Sequence, residues 1–276
     1  MTAAAESMQR PRSFVVQRAV RTVAVVVSVA GYTIVAPFGY LIFAFLCWLW
    51  RRDPKQRALR LQRCTGYGYR FLHAWLRWLR IAHFDPRGAL PNLPPGPCVI
   101  VANHPTQIDV TAVGASLGGA STIVKQAVFR MRMVQPLLKG AGMFEAPDND
   151  PMSVGSVIDE GVQRLRDGMR IFVFPEGSRS LPDGLRPFGR LAFEIACRAG
   201  VPLVTVGIRC TPVWLSREVP MFKPPHPMPR LTLHVLAIDD PARERVDSKL
   251  LRERVENRLR AWHAAGAGSR VGGVRA

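Results

Sequence analysis

Residues 98–110 read C-V-I-V-A-N-H-P-T-Q-I-D-V. The first five are apolar, with β-branched residues among them, and predict a short buried strand, Cys98–Ala102. His104 stands just past the strand's end, and Asp109 follows five residues later, where a helix begins. A histidine with a carboxylate one turn away makes a base and its orienter. The carboxylate fixes the ring tautomer and stabilises the imidazolium when the second nitrogen takes a proton. The same residues can serve a plain structural end, a helix start capped by Asn103 or Thr106, and such a pair taken alone often arises by chance. A second stretch of like design shifts the balance. Residues 171–180, I-F-V-F-P-E-G-S-R-S, are again a strand followed by a polar turn.

Outward from these two stretches, apolar strand-like runs alternate with helical ones. Strands are expected at Ser121–Lys125, Met169–Phe174, Pro202–Arg209 and Leu231–Ile238. Helices are expected through Gly118, near Val128–Lys139, near Met152–Asp167, at Ala192–Ala199 and at Pro241–His263. Such alternation predicts an α/β fold, a mixed and largely parallel sheet flanked by helices. Residues 98–263 form the expected catalytic domain. Residues 85–97, with five prolines, read as a linker, and the Gly-rich end, 264–276, as a disordered tail.

The N-terminal 84 residues read as membrane-anchoring helices. Thr22–Trp50 runs for 29 residues without a charge, long enough to cross a bilayer. A cleaved signal peptide is disfavoured, because the run is too long and no small-residue cleavage site follows. Pro37 and Gly39 sit mid-run and both flanks are basic. That pattern is read as a broken helix pair that dips into one leaflet and returns, in preference to a single span. Next, Leu72, Trp75, Leu76 and Leu79 recur at helical spacing among Arg70, Arg77 and Arg80. This reads either as a core helix of the soluble domain with a solvated basic edge or as a basic amphipathic helix with its Leu and Trp face in a membrane interface, and the apolar run just before it favours the interface.

The chain of 276 residues carries a formal net charge of +18, which implies an anionic partner. The long apolar run argues for lipid over nucleic acid, and no nucleic-acid motif is recognisable. The five cysteines are scattered, with no C-x-x-C pair, so neither a zinc site nor a disulfide framework is indicated.

In F-P-E-G-S-R-S, Pro175 and Gly177 set a tight turn that lets backbone approach a ligand. Glu176 can accept from a hydroxylated acceptor, and Ser178 and Arg179 can hold a polar or anionic head group. Glu176 and Arg179 can also form a structural ion pair. Together the two stretches resemble the glycerolipid acyltransferase family, the 1-acylglycerol-3-phosphate and related lysophospholipid acyltransferases, which pair N-H-x-x-x-x-D with F-P-E-G-T-R-S. Here Ser178 replaces the threonine, and the resemblance covers roughly Cys98 to Arg209. Val201–Val206 resembles the family's V-P-[I/V]-x-P-V block with Thr205 for its second proline, and Lys125 fits a basic position before the second helix. Two blocks depart from the pattern. Gly142–Asp148 reads G-M-F-E-A-P-D where the family has G-x-I-F-I-D-R, whose arginine contacts acceptor phosphate, and Phe188–Leu191 replaces F-K-x-G.

The resemblance implies a membrane-associated O-acyltransferase, with His104 as base, Asp109 as its orienter and acceptor contacts from Glu176, Gly177, Ser178, Arg179 and Lys125. Its donor is an acyl thioester on coenzyme A or on an acidic acyl carrier protein, entering as substrate, with no cofactor and no metal. Its best-matched acceptor is 1-acylglycerol-3-phosphate, giving phosphatidate at the cytoplasmic face of the inner membrane. The missing arginine also fits a specialised acceptor without phosphate, such as an amino-acid lipid or a pigment lipid. A metal-dependent hydrolase using His104, Asp109 and Glu176, and a non-enzymatic basic membrane-surface protein, are the readings from other classes.

Overall fold

The computed structural model describes residues 12–148 and 150–271. Two long helices come first, α1 (Arg12–Leu49) and α2 (Pro54–Trp78), the second started by Asp53, whose side chain accepts from the Gln56 amide at 3.0 Å. Then follow β1 (Val99–Ala102), α3 (Asp109–Leu117), β2 (Ser121–Val124), α4 (Gln126–Phe129), α5 (Gln135–Gly140), β3 (Phe144–Glu145), α6 (Pro151–Arg166) and β4 (Ile171–Val173). The chain closes with α7 (Leu191–Ala199), β5 (Leu203–Thr211), β6 (Arg230–Asp239), α8 (Pro241–Glu244) and α9 (Ser248–Val271).

The strands form one sheet in the order β3-β2-β4-β1-β5-β6, parallel except for β6, which runs antiparallel to β5. β1 lies at the middle and is buried at every position, as a strand covered on both faces must be. Val99 and Val101 face a core shared with α6, α7 and α9, whereas Ile100 and Ala102 face α3 and the segment from Phe84 to Leu93. α2 packs outside α3, and α1 lies outside α2. The Pro-rich segment is tied down: Arg170 donates to the carbonyls of Gly96 and Pro94 at 3.2 and 3.1 Å.

Several sequence expectations change. The apolar run is one unbroken 38-residue helix with Pro37 inside it, not a broken pair. A proline removes a single ladder bond, and the turns on either side carry the helix through. Leu72, Leu76 and Leu79 do not face outward. They pack with Val25 of α1 and with Trp214 and Leu215, while Tyr67, Phe71 and Trp78 are the exposed large side chains of α2. Helical spacing shows that a stripe exists but not which of two apolar stripes the domain claims. The helix expected near Val128–Lys139 is two short ones, α4 and α5, because Pro136 starts a new helix. β3 has two residues, too few to show a period. In the expected tail the helix continues to Val271, and residues 272–276 lie outside the described residues.

His73 of α2 is 1% exposed and its Nε2 lies 3.1 Å from the Thr111 hydroxyl. Burial pushes its pKa down to about 4, against about 6.5 in an unfolded chain. The unfolded state therefore takes up the proton first as pH falls. Stability contributed by the neutral ring is whole above pH 6.5 and is lost between 6.5 and 4, by about 3 kcal/mol in total. Denaturant titrations across that window are expected to show this slope in wild type and to lose it in His73→Phe; equal slopes would refute it.

Candidate active site

The site lies at the carboxyl ends of the parallel strands, where open α/β sheets present their loops to ligands. β1 delivers Asn103, whose buried amide bridges to β5: Nδ2 donates to the Ile208 carbonyl at 2.9 Å, and the Ile208 amide donates to Oδ1 at 2.7 Å. This clamp extends the β1–β5 pairing past its last ladder residue and fixes where His104 leaves the sheet.

His104 Nδ1 lies 3.0 Å from Asp109 Oδ2. Asp109, the first residue of α3, is fully buried. Its carboxylate also accepts from the Thr106 amide at 2.7 Å and from the Thr106 hydroxyl. Burial pushes the Asp109 carboxyl above its ordinary range, opposed by the hydrogen bonds from His104 and Thr106. The His104 ring stacks on Phe174, centroids 4.1 Å apart and planes 15° apart. With Nδ1 turned to Asp109, Nε2 is the nitrogen left to meet a substrate. The helix-cap alternative does not describe these residues: no side chain caps α3, whose N-cap is Ile108.

β4 delivers the second stretch beside the first. Glu176, 8% exposed, does not reach outward to an acceptor. Its Oε1 accepts from the His104 amide at 3.0 Å and the Ser180 hydroxyl at 2.7 Å, and its Oε2 accepts from the Arg186 amide at 2.9 Å. The Ser180 amide donates to the His104 carbonyl at 2.8 Å, closing a link between the two motifs. Gly177 has φ of 62°, the left-handed region that glycine enters without strain. Arg179 pairs with no carboxylate among the described residues; its Nη1 donates to the carbonyls of Leu215 and Ser216 at 3.0 and 2.7 Å. Ser178 accepts from Arg217 Nη2 at 2.6 Å. Neither Asn103, Ser180 nor Arg217 stood out in the sequence as a site residue. Asn103 and Ser180 lie inside the two motifs, whereas Arg217 lies in a loop with no motif at all.

The amides of His104, Thr106 and Gln107 donate within the protein, to Glu176, Asp109 and the Leu215 carbonyl. Those of Ser178 and Arg179 donate to nothing among the described residues. Lys125 follows β2. β2 pairs with β4 through Ser121–Ile171 and Thr122–Phe172, and Lys125 is exposed. Asp148 stands at the position of the missing arginine and lies 3.7 Å from Arg130, which also pairs with Glu145. Among the described residues no group of His, Cys, Asp and Glu is placed to hold a metal.

Fold and site together define an α/β protein organised around a partly exposed histidine held by a buried aspartate. Residues 89–209 match the family model described as Acyltransferase. Over 125 residues it is 32% identical to a 1-acyl-sn-glycerol-3-phosphate acyltransferase, BAT2, of Brassica napus, covering 44% of this chain and 36% of that protein. Over 112 residues it is 30% identical to the human 1-acyl-sn-glycerol-3-phosphate acyltransferase beta, covering 40% of each. The chain thus spans well under half the length of these two relatives. The crystal structure of the 1-acyl-sn-glycerophosphate acyltransferase PlsC from Thermotoga maritima superposes with a TM-score of 0.64 over 89% of this chain and 94% of that one, at 19% identity, and shares the fold.

Proposed function

We propose that this protein is a glycerolipid O-acyltransferase acting on 1-acylglycerol-3-phosphate. The observation that carries the reading is His104, held by Asp109 on Nδ1 at 3.0 Å and locked by Glu176 of the second motif through its own amide. An alcohol is a poor nucleophile until its proton is removed. His104 Nε2 takes that proton as the acceptor oxygen attacks the thioester carbonyl, and Asp109 stabilises the imidazolium formed. The tetrahedral intermediate collapses, the C–S bond breaks, and the imidazolium returns the proton to the departing thiolate. The donors left for the oxyanion are the Ser178 and Arg179 amides. Glu176 serves as a positioning residue, since its oxygens hold the backbone of the histidine turn.

For the acceptor's phosphate, Lys125 is the candidate: it is an exposed cation just past β2, the strand that pairs with β4 ahead of the second motif. Arg130 and Arg179 are engaged within the protein. Arg132 is exposed on the α4–α5 loop. An acceptor series tests this. Lys125→Ala is expected to raise KM for 1-acylglycerol-3-phosphate about 10-fold or more, the size of one lost charge-assisted contact. A monoacylglycerol or other phosphate-free acceptor used at least as well as 1-acylglycerol-3-phosphate would favour the specialised-lipid reading.

The enzyme works at the membrane, with α1 lying in the plane of the interface. At 38 residues α1 is about 57 Å long, and both its ends are tied to the domain. Arg21 donates to the Pro225 carbonyl at 2.8 Å and Gln17 meets His226 at one end, and Phe43, Leu46 and Cys47 pack with Phe129 and Met143 at the other. A perpendicular span would drag α2 and its arginines into hydrocarbon about 30 Å thick. The outward side of α1 is apolar along its length, from Val16 and Val20 to Phe45 and Trp48. With the five native cysteines replaced, Arg18→Cys and Arg52→Cys are expected to react with an impermeant thiol reagent from the same side of sealed vesicles, the cytoplasmic side in cells. Labelling from opposite sides would mean a span.

A further inference from the structure

Beside the His104 turn lies a cleft of about 700 Å³, within the range of small-molecule sites. Asn103 and Pro105, on either side of His104, line it, as does Ser180, which holds the His104 carbonyl. The walls are cationic. Arg209 of β5, Arg217 of the following loop and Arg260 of α9 line the cleft, with Asp183 and Glu218 as the carboxylates. Arg260 pairs with Glu256 at 2.7 Å. Arg217 and Arg209 form no ion pair among the described residues: Arg217 donates only to Ser178, and the Arg209 guanidinium lies 4.5 Å from the centroid of the Trp262 ring. That ring rests against the backbone of β5 at Gly207, where a Cβ would come within 2.8 Å of it. A guanidinium held over an indole, with its fork unpaired, is preorganised to take an anion.

The cleft and the exposed apolar surface lie in different parts of the fold. α9 supplies one wall, on the face of the sheet away from α3, whereas α1 and α2, with the exposed apolar surface, lie beyond α3. The exposed apolar surface suited to a lipid lies along α1, and the charged lining suited to a water-soluble, phosphate-bearing group lies in the cleft.

We propose that this cleft binds the phosphate-bearing end of a phosphopantetheine thioester, with Arg217 and Arg209 as its phosphate ligands, so that the arm runs past Ser180 and Asn103 to present the thioester at His104. The proposal rests on the acyl-transfer reading of the site. Coenzyme A and an acyl carrier protein both carry this arm. Arg217 is exposed and its one protein partner is a hydroxyl, so its replacement leaves the fold in place, which thermal melting checks.

The test is calorimetric titration of the full-length protein in detergent with coenzyme A, 4′-phosphopantetheine and pantetheine. Phosphopantetheine and coenzyme A are expected to bind, pantetheine at least 10-fold more weakly, and Arg217→Ala to weaken the two phosphorylated ligands about 10–100-fold, with partial recovery in Arg217→Lys. In turnover, KM for the donor rises by a like factor while KM for the acceptor holds. Acyl-coenzyme A and acyl carrier protein offered in parallel identify the source: the donor that the cleft takes loses kcat/KM in Arg217→Ala. Equal affinity for pantetheine and phosphopantetheine, unchanged affinity in Arg217→Ala, or a rise in acceptor KM instead would overturn the proposal. Arginine-dependent phosphopantetheine binding by a protein that transfers no acyl group would uphold the cleft and sink the acyl-transfer reading alone.

Discussion

Replacing His104 by alanine is expected to lower acyl transfer by about 10²–10⁴-fold, the usual contribution of a positioned general base. The fold survives, because the ring is partly exposed and its chief packing partner is Phe174, a contact worth about 1 kcal/mol. Asp109→Asn is expected to cost activity on the same scale for a different reason. The carboxylate accepts from His104 Nδ1, from the Thr106 amide and from the Thr106 hydroxyl. An amide in its place turns a donor toward one of these donors and cannot stabilise an imidazolium. Initial rates beside melting curves check both variants. More than a tenth of wild-type activity in a folded His104→Ala protein would remove His104 from the chemistry.

The second large effect is at Glu176. Alanine there strips the acceptor from the His104 amide, the Ser180 hydroxyl and the Arg186 amide at a nearly buried position. Each stranded donor costs about 1–3 kcal/mol, so the variant loses several kcal/mol of stability and, with the histidine turn released, its activity. Glu176→Gln keeps one acceptor oxygen and opposes a donor with the other end. It is expected to lose about 2 kcal/mol and to lower kcat while KM for the acceptor stays near wild type. That split marks a positioning residue. A raised acceptor KM at unchanged kcat would instead place Glu176 against the substrate.

The sequence made some of this plain and hid the rest for physical reasons. β1 and β4 were legible because strands buried on both faces read as unbroken apolar runs, and each ends in a polar turn. The pairing of His104 with Asp109 followed from one helical turn of spacing, and the structure brings them within 3.0 Å. The engagement of Glu176 was not legible, since its partners lie up to 72 residues away in sequence. Arg179 looked like an anion ligand by type, yet its Nη1 is turned to two carbonyls of a loop whose path no local pattern specifies. The face of α2 was misread because both its stripes are apolar and only docking against α1 and α3 selects the buried one. β3 was missed because two residues carry no period.

The most direct measurement is product formation by the purified protein in lipid vesicles, given a labelled acyl thioester and 1-acylglycerol-3-phosphate, with His104→Ala alongside. Labelled phosphatidate from wild type, and almost none from His104→Ala, is the expected result. No labelled lipid product from a folded, vesicle-bound wild-type protein with either thioester donor, or equal product from both proteins, would contradict acyl transfer at this site.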